Sequence, residues 1–261
     1  MSDARLRELE RRWRVTNDPQ DGAAFLRERE RAGRITRDQI CTAAFLGDEP
    51  SQEVLSDGLY DRTGERNDHI CGICPCGWCR WEEGPDKWVS GLLSWGKALP
   101  FKGIDVKDDA SQEMAIRMGL ALADAVWTKL YDPENSVFGL YVIAERRAKR
   151  FLERRDRESR ATCRDLWTSE AWNPAPEWLH QVLYHIVDFR HRLHNTHRWF
   201  VLSGYLLAGP CNECGVKEGW QSECGICRSE RQWKCPDLSH EVVRAALVPW
   251  VLSDAPQKEK T

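Results

Sequence analysis

Apolar residues recur at helical spacing along most of the chain. Leu6, Leu9 and Trp13 stand at i, i+3 and i+7, one face of a helix. Asp18-Pro19 reads as a helix start, because proline lacks only an N–H that the first turn leaves unpaired anyway. Gly33 suits the left-handed residue that ends a helix. Thr36 and Gln39 have capping-box spacing, with Ile35 and Ile40 placed for the hydrophobic staple. Residues 18–33 and 36–46 are therefore expected to form an antiparallel helix pair with a tight connection. Residues 48–70 are polar and rich in Asp and Gly, so they read as a connection.

Further on, Trp88, Leu92 and Trp95 mark a helix over about 86–98, and Pro100 and Gly103 place a loop at 99–111. Met114, Met118, Leu122, Ala125 and Val126 follow a 3.6-residue period over 112–131. Helices are expected over 136–155 and 159–172, and a long helical pattern runs from Pro176 to Leu207 with a bend near Asn195. A last helix is expected over 239–252. The fold class is mainly α: a multi-helix, bundle-like body carrying one or two small zinc-binding knuckle or ribbon insertions. The expected organisation is an N-terminal helical segment (1–60), a first cysteine cluster (61–85), a helical body (86–207), a zinc-ribbon-like segment (208–236), and a C-terminal helix with a polar tail (237–261).

Composition agrees with a folded chain. Of 261 residues, 41% are hydrophobic and 30% charged, enough apolar surface for a core. The net charge of −3 argues against a globally basic nucleic-acid binder. No apolar run reaches the roughly 18 to 20 residues that span a bilayer, and the charged start MSDARLRELERRWR lacks a signal peptide's apolar stretch. A cytoplasmic protein without a membrane partner is expected. In that compartment eleven cysteines, eight of them in CxxC pairs, point to metal or redox chemistry rather than to a disulfide framework.

The clearest chemistry lies at Cys211-Asn-Glu-Cys214 and Cys224-Gly-Ile-Cys227, with nine residues between the pairs. This resembles a two-knuckle zinc ribbon. Each CxxC turn offers two sulfurs from one loop, and tetrahedral zinc takes four. Gly215 removes the Cβ that would crowd the turn under the metal. Four thiolates leave no coordination position for water, so such a site is structural. Cys235 and His240 lie close behind and could replace one ligand; Cys235 reads otherwise as a small buried apolar side chain.

The first cluster, Cys71-Gly-Ile-Cys74-Pro-Cys76-Gly-Trp-Cys79, is denser, with one residue between its pairs. Three readings stand open: a compact four-cysteine zinc site, ligands shared with the second cluster or His69, or an iron–sulfur cluster of unusual spacing. The expected cofactor is zinc, as one or two ions, with iron–sulfur as the alternative at this cluster.

Five of the seven histidines fall on the long helical pattern: His180, His185, His191, His194 and His197. Glu177 with His180 and Asp188 with His191 have the i, i+3 spacing of dimetal carboxylate bundles, with Glu145 and Glu170 as candidate further ligands. Against this, His191, His194 and His197 are about 60° apart around the axis and fan across a face instead of converging. Residues 144–160 carry eight Lys or Arg against four Asp or Glu. They read as a solvated face laced with ion pairs, or as a phosphate-binding patch. Across 211–240, four Lys or Arg meet five Asp or Glu, the wrong balance for a nucleic-acid ribbon. Cys163 reads as core. No phosphate loop, dinucleotide fingerprint, nucleophile elbow or HExxH motif is present, so no catalytic residue is expected.

The run ELERRWRVTNDPQDGAAFLRERERAGRITRDQICTAAFLGDEPS (residues 8–51) resembles a segment of uncharacterised helical bacterial proteins of myxobacterial and planctomycete type. The likeness continues through KWVSGLLSWGK, IRMGLALADAVW and IAERRAKRFL. Some related all-helical proteins are described as immunity proteins, inhibitors that bind a toxin. The cysteine clusters are not part of that pattern. The resemblance implies a helical bacterial protein. A protein partner is expected, ahead of nucleic acid. Three functions follow in order: a non-enzymatic, zinc-stabilised interaction module, toxin-neutralising in one version; a nucleic-acid-binding zinc-ribbon regulator; and a metal-dependent enzyme using the histidine-rich helix.

Overall fold

The computed structural model describes residues 3–56, 85–97, 99–100, 110–130, 137–167, 200, 203 and 225–254. Among these, nine α-helices and no strand are present; the protein is mainly helical. It divides into two compact units, one of Met1–Phe101 with Leu247–Thr261 and one of Lys102–Ala246.

The first unit begins with α1 (Asp3–Thr16), α2 (Pro19–Arg31), α3 (Arg37–Phe45) and α4 (Glu49–Ser56). The sequence signals at their ends are realised in detail. Asp18 is the N-cap of α2 and accepts from the Gln20 N–H, with Pro19 opening the helix. Past its end, Gly33 adopts φ +68°. Arg34 N–H then donates to Arg29 C=O and Gly33 N–H to Glu30 C=O, at 2.9 Å each. That pair of bonds is a Schellman motif. Gly47 (φ +87°) repeats it after α3, with Asp48 N–H on Ala43 C=O and Gly47 N–H on Ala44 C=O. Asn17 closes α1 in the left-handed region, φ +52°, its N–H donating to Trp13 C=O. Thr36 and Gln39 form the reciprocal capping box at the start of α3, and Ile35 and Ile40 are both buried.

Two expectations fail here. Residues 49–56 are helical and not part of a connection. The Asp48 carboxylate takes the Ser51 N–H and hydroxyl, and Pro50 sits in the first turn where its missing donor costs nothing. Val54 and Leu55 then go into the core. The helices at 18–33 and 36–46 also do not share their main faces. α2 packs on α1 and α4, and α3 on α4 and on α5 (Pro85–Gly96). A tight connection fixes succession, while the apolar faces choose the neighbours.

Close approach sets two of these crossings. A Cβ on Gly22 would lie 2.8 Å from the Pro50 ring and from Trp13 Nε1. One on Gly91 of α5 would lie 2.8 Å from Phe45 Cζ. Phe45 stacks on Trp88 at 6.0 Å between centroids. Of the expected face Trp88 and Leu92 are buried and Trp95 is half-buried, while Leu93 is buried beside them.

The unit is completed by the end of α9 (Gly225–Val251). Gln39, already used in the α3 capping box, donates through Nε2 to Val251 C=O (2.6 Å) and Ser253 C=O (2.9 Å). Arg29 donates to Leu252 C=O and to the Asp254 carboxylate, at 2.7 Å each. The terminal carbonyls of α9, which no helical N–H can reach, are thus capped by side chains some two hundred residues away in sequence.

In the second unit, α6 (Ala110–Leu130) is buried on nearly every side over its first four turns, as a central helix must be. Met114, Met118, Leu122 and Val126 are buried, as their spacing predicts. It packs on α7 (Val137–Arg154), which packs in turn on α8 (Arg157–Trp167). The last of these begins before the expected Ser159, because the Asp156 carboxylate accepts the Ser159 N–H at 2.7 Å. The last helix likewise starts at Gly225 instead of 239 and runs through Pro236. Straight-chain residues Arg228, Glu230, Arg231, Gln232 and Lys234 favour helix there.

Replacing Gly22 by Ala should destabilise the protein. The clash costs about 1–3 kcal/mol, which outweighs the roughly 1 kcal/mol that alanine gains in a helix; a lower midpoint in urea unfolding is the expected result. Replacing Gln39 by Ala should cost about 2 kcal/mol, since it strands the buried Val251 carbonyl at the end of the last helix as well as breaking the capping box. Unfolding of the variant beside wild type measures it.

Candidate functional site

The cysteine clusters are the chemistry the sequence singles out, and they fall mostly outside the described residues. Cys71, Cys74, Cys76, Cys79, Cys211, Cys214 and Cys224 all lie there. Cys227 stands in the first turn of α9, so the second CxxC leads directly into that helix. Cys235 lies in the same helix, eight residues on. The histidine-rich stretch, with His180, His185, His191, His194 and His197, and Glu170, Glu177 and Asp188, lies outside as well, as does His69. Among the described residues no three His, Cys, Asp or Glu side chains gather as a metal-holding group, and no helix is long and apolar enough to cross a membrane.

The other sequence candidates can be placed. Cys163 is fully buried in α8, and burial pushes its thiol up to about 11 in spite of the opposing pull of Arg147. A thiol in that state is neither nucleophile nor metal ligand at neutral pH. Cys41 of α3 is half-buried, and burial raises it too, against Arg37. Glu145, a candidate metal ligand, is ion-paired with Lys149 one turn along α7.

Among the described residues His240 is the most strongly displaced base. Burial disfavours its imidazolium, and Arg244 one turn on repels it, so it is pushed down to about 4. The adjacent Ser239 is buried and donates to Phe200 C=O at 2.8 Å, which fixes this part of α9 within its unit.

The basic run at 144–160 divides into two sets, a division its composition did not reveal. The inward set is committed to structure. Glu113, buried on α6, receives Arg117 at 2.8 Å and also pairs with Arg155. Arg155 holds that position with φ +53°, a conformation costly for a residue with a Cβ, and its guanidinium also lies over the Phe151 ring at 5.8 Å. Arg160 covers the same ring at 5.4 Å, and Arg147 donates to Thr162 C=O. The outward set faces solvent: Arg146, Lys149, Arg150, Arg154 and Arg157. Lys149 pairs with Glu145, and Arg150 reaches Glu158 only at 3.8 Å with both groups exposed, a pairing of little weight. Arg146, Arg154 and Arg157 have no ion pair among the described residues. A buried acid on α6 answering an arginine forty residues later was the signal missed; nothing local in the sequence marks it.

The chain was compared with protein-family models, curated proteins and solved structures, and it matches none of them.

The His240 shift has a stability consequence. Unfolded, the imidazole takes a proton near pH 6.5; folded, it refuses one until about pH 4. Its contribution is therefore full above pH 6.5 and declines as pH falls from 6.5 toward 4. Denaturant unfolding at pH 7 and pH 4.5 should show a smaller loss in His240→Gln than in wild type.

Proposed function

We propose that this protein is a zinc-stabilised, mainly helical protein-interaction module of the cytoplasm, with no reaction chemistry of its own. The observation that carries the reading is the spacing Cys211-x-x-Cys214 and Cys224-x-x-Cys227, separated by nine residues. Zinc held by these four thiolates is closed to water and substrate, and its work is to order chain that lacks core of its own. Cys71, Cys74, Cys76 and Cys79 hold a second ion on the same reading.

Support for a binding rather than a catalytic role comes from what the helices do. Each unit buries its own apolar residues, Cys163 is a buried neutral thiol, and Glu113, Glu145 and Asp156 are engaged in ion pairs or a helix cap. The binding surface is then the exterior of a stable helical body. The likeness of residues 8–51 to bacterial helical proteins, some described as toxin inhibitors, makes a toxin-neutralising role the specific form of the proposal.

Elemental analysis of protein purified without chelator should find one or two zinc ions per chain. Cys211→Ser or Cys224→Ser should remove one of them and lower the melting temperature by roughly 10 °C, since metal binding and folding are coupled. Cys41→Ser serves as the control that keeps the metal. Wild-type protein free of zinc and iron, or a Cys211→Ser variant that melts like wild type, would sink the proposal.

A further inference from the structure

The outward arginines of α7 form a row. Projected on a helix at 100° per residue, Ile143, Arg146, Arg150 and Arg154 fall within an arc of about 80°. Successive arginines are about 6 Å apart along the axis. All four residues are exposed, and Ile143, 41% exposed, is one of three large apolar side chains left in solvent among the described residues.

Such a row runs against the helix's own interest, since like charges at i, i+4 repel. On α1 acids offset much of the like charge. There Arg11 pairs with Glu8, Arg14 with Glu10 and Arg12 with Asp21, and Arg7 alone of the row has no ion pair among the described residues. On α7 the neighbouring acids do other work: Glu145 takes Lys149, and Asp156 caps α8. Glu153 flanks the row and forms no ion pair among the described residues. The C-terminal end of the helix dipole favours Arg154, yet Arg157 stands at the N-terminal end of α8, where the dipole opposes it. The backbone beneath is held rigid by the Glu113–Arg155 pair and the Arg147–Thr162 hydrogen bond. The row is thus displayed on a fixed support, which lowers the ordering cost of binding.

We propose that this edge of α7 is the docking surface for the protein partner, and that the partner meets it with a carboxylate-bearing helix. Guanidinium forks match carboxylates two bonds at a time. Ile143 in line with them supplies an apolar anchor, which an interface between proteins uses and a phosphate backbone does not. The inference rests on the protein-binding reading above and names the chemistry of its partner.

The test uses the full chain and a defined probe, a fluorescein-labelled helical peptide carrying Glu at i, i+4 and i+8 and Leu one turn before the first Glu. Anisotropy titration at low salt should show binding. Arg146→Glu with Arg154→Glu should weaken it about tenfold, and Ile143→Ser should weaken it for this peptide but not for one with Ser in place of Leu. Arg7→Glu, half the charge change of that double reversal and placed on α1, should alter affinity less than about twofold. If the double reversal perturbs folding, judged by its melting curve, Arg146→Gln with Arg154→Gln removes the charge without adding repulsion. Absent binding, equal losses with Arg7→Glu, or a DNA duplex binding through the same arginines in place of the peptide would overturn the proposal. Metal analysis reads the parent hypothesis separately: a zinc-free chain that binds the peptide keeps this surface, and a zinc-loaded chain that ignores it does not.

Discussion

The Gln39 side chain holds the first unit together at its least probable point. Its oxygen closes the capping box on Thr36, and its amide nitrogen takes the carbonyls of Val251 and Ser253. One buried amide therefore satisfies the beginning of α3 and the end of α9 together. Buried polar groups left unmatched cost more than matched ones gain, so the two segments are specified jointly. Arg29 reinforces the junction from the neighbouring helix, on Leu252 and Asp254. The second unit has a counterpart in Glu113, a buried carboxylate whose two arginines come from its own helix and from the end of α7. In both units an apolar core supplies the bulk of the stability, and a single buried polar group sets which elements meet.

What could be read from the sequence was local. The cap at Asp18-Pro19, the Thr36–Gln39 box and the left-handed Gly33 all depend on residues within a turn of one another, and all three are found in place. The period of α6 was legible for the same reason. The α4 helix was not, because its start is set by Asp48 and Ser51 inside a polar stretch with only Val54 and Leu55 to mark a face. Neighbour choice was not legible either: nothing in the loop between α2 and α3 tells that both turn to α4. The Gly22 contact with Pro50 and Trp13 is a product of that choice, and so is invisible before the helices are placed.

The candidate site divides along the same line. Cysteine spacing is a local property, and it points to zinc from the sequence alone. Its surroundings are long-range: Cys227 opens a helix that extends to Val251, where a zinc-ribbon segment ending near 236 was expected to precede a shorter one. The basic run shows how composition misleads. Counting charges over 144–160 gives one patch, whereas burial and pairing divide the same arginines into a structural set around Phe151 and Glu113 and a solvent-facing row on α7.

The sequence of the second unit is inserted within that of the first, between Phe101 and Leu247. A ribosome therefore releases α1 to α5 long before the segment that saturates Gln39 and Arg29. During that interval the early helices present an open seam of unmet donors. Closing it requires a long-range loop whose entropy grows only slowly with its length. The nascent N-terminal half is for that reason the stage of synthesis most exposed to chaperone capture and proteolysis, and a ribosome stalled before Leu247 would leave it so.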